Sequence, residues 1–316
     1  MFSLGSRKFQ FVINPMAGGG RAGRVWRLMR SEAARFFGPL REAYTASPGD
    51  ATLLARDALL NGSDGIVCVG GDGTLNEVVN GFMDGGEPLR AGALLAYFPC
   101  GTGCDFVRTL RQSKDILQAL KGVSPLGTKT IDLGRMVCRD RRGKPMSRYF
   151  HNITSFGLGG EVNNRVNRSR KRLGGFPSFL LATGVSLLLY RRKRIRLRVD
   201  DSFDGEVTSW NVAVANGQFH GGGMWVAPDA RIDDGLLHVT VVGDFKLPEI
   251  LFQMPRLYNG KIYGHRKILN LKGRRIEATS GETVLIDMDG EQPGRLPLSI
   301  DIVPRCISVL VSGETA

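Results

Sequence analysis

The strongest constraint in this sequence is a glycine-rich turn between an apolar strand and an amphipathic helix. The strand is predicted at residues 66–69, and the turn that follows it reads Gly70-Gly71-Asp72-Gly73-Thr74. The helix is predicted from the spacing of four apolar residues, Leu75, Val78, Val79 and Phe82. Such a turn presents several backbone N–H groups at the positive end of a helix, where phosphate binds well. We therefore expect a nucleotide-binding α/β region here.

The acidic residue inside this turn distinguishes it from the common phosphate-binding loops. Asp72 would repel a phosphate group unless a cation lies between them, so the turn indicates a metal–nucleotide complex. The turn has neither the Gly-Lys-Ser/Thr of a Walker A loop nor the G-x-G-x-x-G of dinucleotide-binding folds. An ordinary glycine turn is the alternative, but Thr74, Asn76 and Glu77 follow on the first helical turn and favour a ligand site.

The first third of the chain alternates predicted strands with predicted helices. Strands are predicted at residues 9–13, 40–45, 66–69 and 94–98, and helices at residues 23–37 and 49–60. This order is typical of a parallel, Rossmann-like sheet covered by helices. We expect one side of the first helix to be buried through Val25, Leu28, Met29 and Phe36. Asn14-Pro15, Thr45 and residues 99–103 each follow a strand, at the sheet edge where ligands bind.

From about residue 131 the pattern becomes that of a β-rich domain. Seven segments alternate in polarity or are rich in β-branched residues, at 194–200, 207–215, 236–242, 267–271, 274–278, 283–288 and 297–303. They predict an antiparallel sandwich interrupted by one helix at residues 176–190. We thus predict a nucleotide-binding α/β domain at residues 1–131 and a β-rich domain at residues 132–305, with residues 306–313 packing back on the first domain.

Composition and charge limit the class of protein and its partners. With 42 % hydrophobic and 23 % charged residues the chain has the composition of a soluble globular protein. A net charge of +13 indicates an anionic partner. Five cysteines argue against a disulfide framework and have no zinc-site spacing. Since residues 1–8 contain no signal-peptide apolar core, we expect a cytoplasmic, reduced protein.

The predicted helix at residues 176–190 raises the question of a membrane. It is almost wholly apolar, yet its fifteen residues fall short of the ~20 needed to span a bilayer. Basic residues flank it on both sides: Arg165, Arg168, Arg170, Lys171 and Arg172 before it, and Arg191, Arg192, Lys193, Arg194, Arg196 and Arg198 after it. Two interpretations stay open, namely peripheral contact with an anionic membrane surface and a helix packed on the β domain with a solvated basic rim.

The motifs, taken in order, resemble those of the diacylglycerol kinase catalytic-domain family, which includes bacterial diacylglycerol kinases and sphingosine and ceramide kinases. The motifs are Asn14-Pro15, Gly-Gly-Asp-Gly-Thr, Pro-x-Gly-Thr-x-x-Asp, Asp132-Leu133-Gly134, Ala215-Asn216-Gly217, Gly221-Gly222-Gly223, Asp233-Asp234-Gly235-Leu236 and Asp289-Gly290-Glu291. They extend over essentially the whole chain. NAD kinases and phosphofructokinase-like enzymes share the glycine turns, whereas the late motifs are more specific to lipid kinases.

The resemblance implies a particular set of site residues. ATP would be bound by Asn14, Thr45, Gly71, Asp72, Gly73, Thr74, Leu75, Asn76, Glu77 and Thr102. A structural Mg²⁺ would lie near Arg231, Asp234 and Leu236, and Asp72, Asp105 and Asp132 match aspartates linked to that metal through water. Among its three ligands only Asp234 has a carboxylate, so the other two would contribute backbone carbonyls. Asp289 matches the proposed general base, with Glu291 beside it.

Several positions allow more than one interpretation. Cys104 stands where the family usually has asparagine, and Arg21 is the substitute for a lysine near Gly19. In a strand, Asp289 and Glu291 would share one face, but Asp289-Gly290 is also typical of a hairpin turn. Asp72 is the competing candidate for the base. The four histidines have no metal-ligand spacing, and we interpret them as structural or surface residues. They are His151, His220, His238 and His265.

The resemblance implies an ATP-dependent lipid kinase that acts on diacylglycerol or a related lipid at a membrane surface, with the lipid bound by the β-rich domain. Two alternatives remain, a soluble nucleotide kinase of NAD-kinase type and a non-catalytic basic protein that binds membranes. We expect no nucleic acid partner, because no nucleic-acid-binding module is recognised. Exposed sheet edges would permit a homodimer.

Overall fold

The structure is a computed structural model that describes residues 7–111, 126–168 and 175–312. The chain divides into two compact units. The first comprises Met1–Asp132 together with Arg305–Ala316, and the second comprises Leu133–Pro304. From the predicted basic flank, Arg170, Lys171, Arg172 and the side chain of Arg168 lie outside the described residues.

The first unit contains a parallel sheet with helices between its strands. Its elements are β1 (Phe9–Ile13), α1 (Ala17–Phe37), β2 (Arg41–Tyr44), α2 (Asp50–Leu60), β3 (Gly65–Gly70), α3 (Asp72–Phe82), the short strands β4 (Met83–Asp84) and β5 (Glu87–Pro88), β6 (Leu94–Pro99) and α4 (Asp105–Thr109). The strand order is β2-β1-β3-β6. Every residue of β3 and β6 is buried, as in the central strands of a sheet covered on both faces.

The first unit is completed by the end of the chain. The last strand, β19 (Gly294–Ser312), runs parallel to β6, with Ser308 beside Leu94 and Val309 beside Leu95. Residues 308 and 309 therefore extend the sheet that contains β1.

The buried side of α1 differs from the predicted one. The helix packs on the sheet through Ala22, Trp26, Met29, Ala33 and Phe37, which recur at the 3.6-residue period. The prediction that included Leu28 was wrong, because Leu28 is 79 % exposed. The ring of Trp26 lies 5.1 Å from that of Phe11 on β1, and this aromatic contact fixes which side of α1 faces the sheet.

The second unit is a β sandwich, and its described residues also form three helices. Its elements are β7 (Leu126–Asp140, entering from the first unit), β8 (Pro145–Phe150), β9 (Ile153–Gly157), α5 (Leu158–Arg168), α6 (Gly175–Leu189), β10 (Lys193–Val199), β11 (Phe203–Ser209), β12 (Asn211–Ala215), β13 (Phe219–His220), β14 (Met224–Trp225), β15 (Leu237–Val242), α7 (Leu247–Tyr258), β16 (Ile268–Gly273), β17 (Arg275–Thr279), β18 (Ile286–Met288) and the first part of β19. The prediction of a single helix here was wrong, since α5 and α7 accompany α6.

Two antiparallel layers form the sandwich. One has the order β11-β10-β17-β19, and the other has the order β16-β15-β12-β9-β18. Strand β10 illustrates the alternation, because Ile195, Leu197 and Val199 point into the core while the arginines between them are exposed. These three inward side chains of β10 belong to one hydrophobic cluster with Phe156, Val212 and Ile286 of the other layer. The predicted combination of a parallel α/β sheet with a β sandwich is confirmed.

None of the helices within the described ranges is both long and apolar enough to cross a membrane.

Candidate functional site

Two glycine turns meet at the carboxyl ends of β3 and β6. A β-carbon added to Gly101 would lie 2.6 Å from the Cα of Gly71, so side chains are excluded where the turns touch. The first of the turns leads directly into α3, whose N-terminus carries a positive partial charge. The arrangement brings backbone N–H groups to a surface suited to phosphate.

The carboxylates of Asp72 and Asp105 both lie close to Gly103. A β-carbon built on Gly103 would lie 3.2 Å from Oδ2 of Asp72 and 3.5 Å from Oδ2 of Asp105. Asp105 is buried, and its Oδ1 lies 3.6 Å from Nε of Arg108. Two carboxylates this close to a phosphate-binding turn require a cation if phosphate is to bind beside them.

Asp132 and Cys104 are held by their own neighbours. Oδ1 of Asp132, a fully buried residue, accepts a hydrogen bond of 2.6 Å from the backbone N–H of Arg305. The thiol of Cys104 accepts a hydrogen bond of 3.7 Å from the hydroxyl of Tyr97. Burial raises the pKa of Tyr97 well above its usual range, so this phenol stays protonated and remains a donor. At position 104, where the family usually has asparagine, the thiol of Cys104 therefore contacts a buried phenol.

The side chain of Asn14 connects the turn after β1 to the turn after β3 by a hydrogen bond. Its Nδ2 donates to Oγ1 of Thr74 at 2.9 Å, and its Oδ1 accepts from the backbone N–H of Met16 at 3.1 Å. Thr45, beyond β2, donates its backbone N–H to the carbonyl of Ile13 at 2.9 Å. These two predicted nucleotide-binding residues thus lie at the carboxyl ends of adjacent strands.

The remaining predicted nucleotide-binding residues differ in their access to solvent. Thr102 is exposed and Gly73 is half-buried, whereas Leu75 and Asn76 have no exposed surface. Glu77 binds the start of α2 instead of facing outward. Its Oε1 and Oε2 accept the backbone N–H groups of Gly49 at 2.8 Å and Ala51 at 3.1 Å. A carboxylate at this end of a helix stabilises the helix.

A left-handed glycine turn opens α1. Gly18, Gly19 and Gly20 all have positive φ, at 61°, 68° and 83°. A β-carbon on Gly18 would lie 2.4 Å from the carbonyl oxygen of Cys100, which sets this turn against the turn after β6. The backbone N–H of Gly20 donates to the carbonyl of Met16 at 3.1 Å, and Arg21 follows the turn as an exposed cation.

In the second unit, Asp289 and Gly290 form a two-residue hairpin turn. Their φ angles are +46° and +88°, and Met288 and Glu291 exchange two backbone hydrogen bonds of 2.8 Å. This geometry is the one that Asp-Gly favours. The prediction that Asp289 and Glu291 share a strand face was wrong, because the turn separates them.

The carboxylate of Asp289 is completely enclosed. Its Oδ1 accepts backbone N–H groups from Ile153 at 3.0 Å and Asn152 at 3.3 Å. Its Oδ2 lies 3.1 Å from the backbone nitrogen and 2.9 Å from Nδ1 of His151. Three backbone N–H groups therefore donate to the carboxylate, and such hydrogen bonds stabilise its anionic form. Glu291 is 32 % exposed, and its Oε2 lies 2.7 Å from Nη1 of Arg148.

Asp287 of β18 and His220 of β13 form a second aspartate–histidine pair, which was not predicted from the sequence. The buried Asp287 accepts from Nδ2 of Asn163 at 2.6 Å, and its Oδ2 lies 3.0 Å from Nε2 of His220. The available signal was the alternation Asp287-Met288-Asp289 in an otherwise apolar strand. A link between the pairs is made by Asn152, whose Nδ2 donates to the carbonyl of Phe219 at 2.9 Å.

The residues predicted to hold Mg²⁺ form a turn before β15. Oδ1 of Asp234 accepts the backbone N–H of Leu236 at 3.1 Å, and its Oδ2 lies 3.6 Å from Nε2 of His238. Burial lowers the pKa of His238, which favours the neutral imidazole. The side chain of Arg231 is directed to Asp233 at 3.7 Å, which leaves its backbone carbonyl as the atom that could bind a metal.

One carboxylate and two carbonyls are oxygen donors of the kind that Mg²⁺ prefers, so the residues fit the ion chemically. No cluster of three His, Cys, Asp or Glu side chains suited to a metal occurs among the residues that the structure describes. A cation at this turn would therefore depend on backbone carbonyls and water to complete its coordination.

Comparisons with known proteins match both units. Residues 8–136 match the family model of the diacylglycerol kinase catalytic domain, and residues 152–311 match that of the YegS C-terminal NAD kinase beta sandwich-like domain. A diacylglycerol kinase of Staphylococcus epidermidis is 30 % identical over 295 residues, covering 92 % of this chain and 88 % of the relative. One from Staphylococcus aureus is 30 % identical over 273 residues, covering 85 % and 81 %.

The fold also matches a solved structure. The crystal structure of a diacylglycerol kinase from Bacillus anthracis is similar with a TM-score of 0.67 and 22 % identity, covering 96 % of this chain and 97 % of that one. This likeness shows that the fold is shared over the whole length of the chain.

Proposed function

Because the chain belongs to the diacylglycerol kinase catalytic-domain family, we propose that it is an ATP-dependent lipid kinase. It transfers the γ-phosphate of ATP to a hydroxyl group of diacylglycerol or a related lipid. The observation that carries this proposal is the position of Asp72 and Asp105 around Gly103, beside a turn rich in backbone N–H groups. Carboxylates combined with N–H donors suit a polyphosphate that arrives with its cation.

The first unit binds ATP in this proposal. The N–H groups of Gly71, Gly73 and Thr74 hold the phosphates at the positive end of α3. Asn14 supports them through its hydrogen bond to Thr74, and Thr45 and Thr102 follow the carboxyl ends of β2 and β6 in the same sheet. Leu75, Asn76 and Glu77 contribute by fixing α3 and α2, because two of them are buried and the third binds backbone N–H groups.

Mg²⁺ would neutralise phosphate charge when it is bound, as is usual in phosphoryl transfer. Asp234 would hold a structural Mg²⁺ together with the carbonyls of Arg231 and Leu236. In the first unit, Asp72 and Asp105 are the carboxylates available to a cation that accompanies ATP.

The lipid hydroxyl attacks the γ-phosphorus while the bond to the β–γ bridging oxygen breaks and ADP leaves. The hydroxyl proton passes to a carboxylate, for which Asp289 is the proposed base. Its support is a fixed position, held by three backbone N–H groups and His151. A positioned base contributes typically ~10²–10⁴-fold to the rate.

Glu291 is the second candidate for the base. The observation in its favour is access, since 32 % of its side chain is exposed while that of Asp289 has no exposed surface. If Glu291 is the base, Asp289 fixes the turn that carries it. The Glu291→Gln and Asp289→Asn variants together separate these two assignments.

The test is transfer of labelled γ-phosphate from ATP into a panel of lipids in mixed micelles with Mg²⁺, with NAD as a further acceptor. We expect label in one lipid class and its loss in Asp289→Asn, with ATP binding retained. Near-normal turnover of Asp289→Asn together with loss of turnover in Glu291→Gln would instead identify Glu291 as the base. Label in NAD alone would identify a nucleotide kinase. ATP binding without transfer to any acceptor would contradict the kinase proposal and favour a non-catalytic role.

The site of action is proposed to be the cytoplasmic surface of an anionic membrane, because the acceptor lipid resides there and the chain carries a charge of +13. Co-sedimentation of the full chain with vesicles of phosphatidylcholine, with and without phosphatidylglycerol, measures this association directly.

A further inference from the structure

Helix α7 carries large exposed apolar side chains in addition to the face that packs on the core. Its inner face, formed by Leu247, Ile250, Met254 and Leu257, packs against the cluster of Trp210, Phe245 and Ile262. By the helical period, Leu251 and Tyr258 border this inner face and Phe252 lies opposite to it. Leu251, Phe252 and Tyr258 are 54 %, 75 % and 45 % exposed. Helix residues that do not face the core of a β domain are usually polar, so folding of the second unit does not account for these three side chains.

Helix α6 has the same property in its described part. Leu187 lies in the same cluster as the inner face of α7, so the two helices flank one core. Leu181, Val185 and Leu188 follow one another at helical spacing, and all three are exposed. Leu188 and the neighbouring Leu189 are 70 % and 64 % exposed. Both helices thus leave large apolar side chains in water beside a shared core.

The charges around these helices are mostly positive. The exposed cations are Arg191 and Arg192 after α6, Lys246 before α7, Arg256 within α7 and Lys261 after α7. Neighbouring acids are already paired, since Asp244 contacts Arg192 and Oε2 of Glu249 lies 2.6 Å from Nζ of Lys267. Exposed leucine and aromatic residues bordered by lysine and arginine are the composition of a helix that lies in a membrane interface.

We propose that the exposed faces of α6 and α7 form the surface with which the protein docks on an anionic lipid bilayer. This docking surface consists of Leu181, Val185, Leu188, Leu189, Leu251, Phe252 and Tyr258 with the five cations around them. The inference rests on the proposed function, in which the acceptor is a lipid. An anionic bilayer is the occupant because it accepts apolar side chains and attracts the surrounding cations at once.

The geometry limits how the helices meet the bilayer. Helix α6 has fifteen residues and α7 has twelve, both shorter than the ~20 residues of a membrane span. They would lie along the interface, with the apolar side chains at the depth of the acyl-chain boundary and the cations among the headgroups. Tyr258 suits this position because its ring is apolar and its hydroxyl can stay in water.

The experiment compares vesicle binding of the full chain with that of the double variant Leu251→Gln/Phe252→Gln. Vesicles of phosphatidylcholine with about 30 % phosphatidylglycerol are the probe, and pure phosphatidylcholine is the comparison. We expect the double variant to lose at least about tenfold in partition constant, since burial of one such side chain is worth about a factor of ten. Leu28→Gln is the control, because Leu28 is a leucine of the first unit that is at least as exposed as Leu251 and Phe252.

A second variant tests the electrostatic part. Arg256→Gln/Lys261→Gln should weaken binding to the anionic vesicles and reduce its dependence on salt, while leaving binding to neutral vesicles unchanged. Far-UV circular dichroism of both variants should equal that of the parent, because the changed side chains are exposed.

The outcomes separate docking from catalysis. Phosphoryl transfer to a dispersed short-chain lipid needs no bilayer, so it should be the same in the docking variants and the parent. Equal vesicle binding of the Leu251→Gln/Phe252→Gln variant and the parent would overturn the docking surface, as would failure of the parent to bind anionic vesicles. Loss of a dimer in the variant, with vesicle binding unchanged, would identify the surface as a contact between two copies. Docking without transfer to any acceptor would instead contradict the proposed kinase activity.

Discussion

Nδ1 of His151 lies 2.9 Å from Oδ2 of Asp289, and neither side chain has any exposed surface. The backbone N–H groups of His151, Asn152 and Ile153 also donate to this carboxylate. In the Asp289→Asn variant one oxygen is replaced by an NH₂ group, which would face donors. We expect a loss of about 1–3 kcal/mol in the free energy of unfolding, the cost of an unsatisfied buried polar group. Urea denaturation of the two proteins measures it.

Glu291→Gln is the matched variant for this prediction. Its ion pair with Arg148 is partly exposed, so the free energy of unfolding should change by at most about 1 kcal/mol. An equal loss of stability in the two variants would mean that the enclosed hydrogen bonds of Asp289 do not stabilise the turn.

The glycine turn before α1 allows a comparison of two neighbouring substitutions. Gly18→Ala would place a β-carbon 2.4 Å from the carbonyl oxygen of Cys100, whereas nothing lies within 4 Å of a β-carbon on Gly19. Both residues have positive φ, so each substitution costs about 1–2 kcal/mol from backbone strain alone. We expect Gly18→Ala to destabilise the protein more and to weaken ATP binding more than Gly19→Ala. Equal effects in thermal unfolding and nucleotide titration would contradict the close approach of the two turns.

Glu77 is expected to act on stability more than on nucleotide binding. Glu77→Ala removes the acceptors for the N–H groups of Gly49 and Ala51 and should lower the free energy of unfolding by about 1–2 kcal/mol, as loss of a helix cap does. The KM for ATP at a temperature well below unfolding should change little. Glu77→Gln, which keeps one acceptor oxygen, should recover part of the stability. A large rise in the KM with unchanged stability would instead assign Glu77 to direct nucleotide contact.

The cysteines should differ in reactivity. Burial raises the pKa of Cys100 and of Cys138 to about 11, so at pH 8 only about a thousandth of either thiol is thiolate, the reactive form. Cys306 is the partly exposed cysteine among the five. We expect iodoacetamide to modify Cys306 first in the native protein, and the other four only after denaturation. Peptide mapping by mass spectrometry measures this order, and early labelling of Cys100 would contradict its burial.

Much of the fold could be predicted because its signals are local. Alternating strand and helix patterns in the first third, and the period-two pattern of β10, survive in short windows of sequence. The side of α1 that faces the sheet was harder, since Leu28 and Trp26 are both apolar and only the contact with Phe11 distinguishes them. Helix α7 was not predicted because it contains Pro255, and proline argues against a helix interior.

The site was predictable in its residues more than in their partners. The resemblance to the family is confirmed by the matched models and relatives. The hydrogen bonds that surround Asp289 come from residues about 140 positions earlier in the chain, and those of Glu77 come from the start of another helix. Contacts over such separations depend on the folded chain path, which no local pattern contains. For the same reason the pairing of Asp287 with His220 required the structure.

The return of β19 to the sheet of the first unit has a consequence for synthesis. Ser308 and Val309 pair with Leu94 and Leu95, so β6 has this neighbour only after residues 308 and 309 have left the ribosome. A nascent chain that has completed residues 1–132 still has β6 as an open edge, and open edges pair readily with other chains. A product that ends before residue 305 would therefore contain the strands of the second unit but lack the residues of β19 that pair with β6 in the first unit.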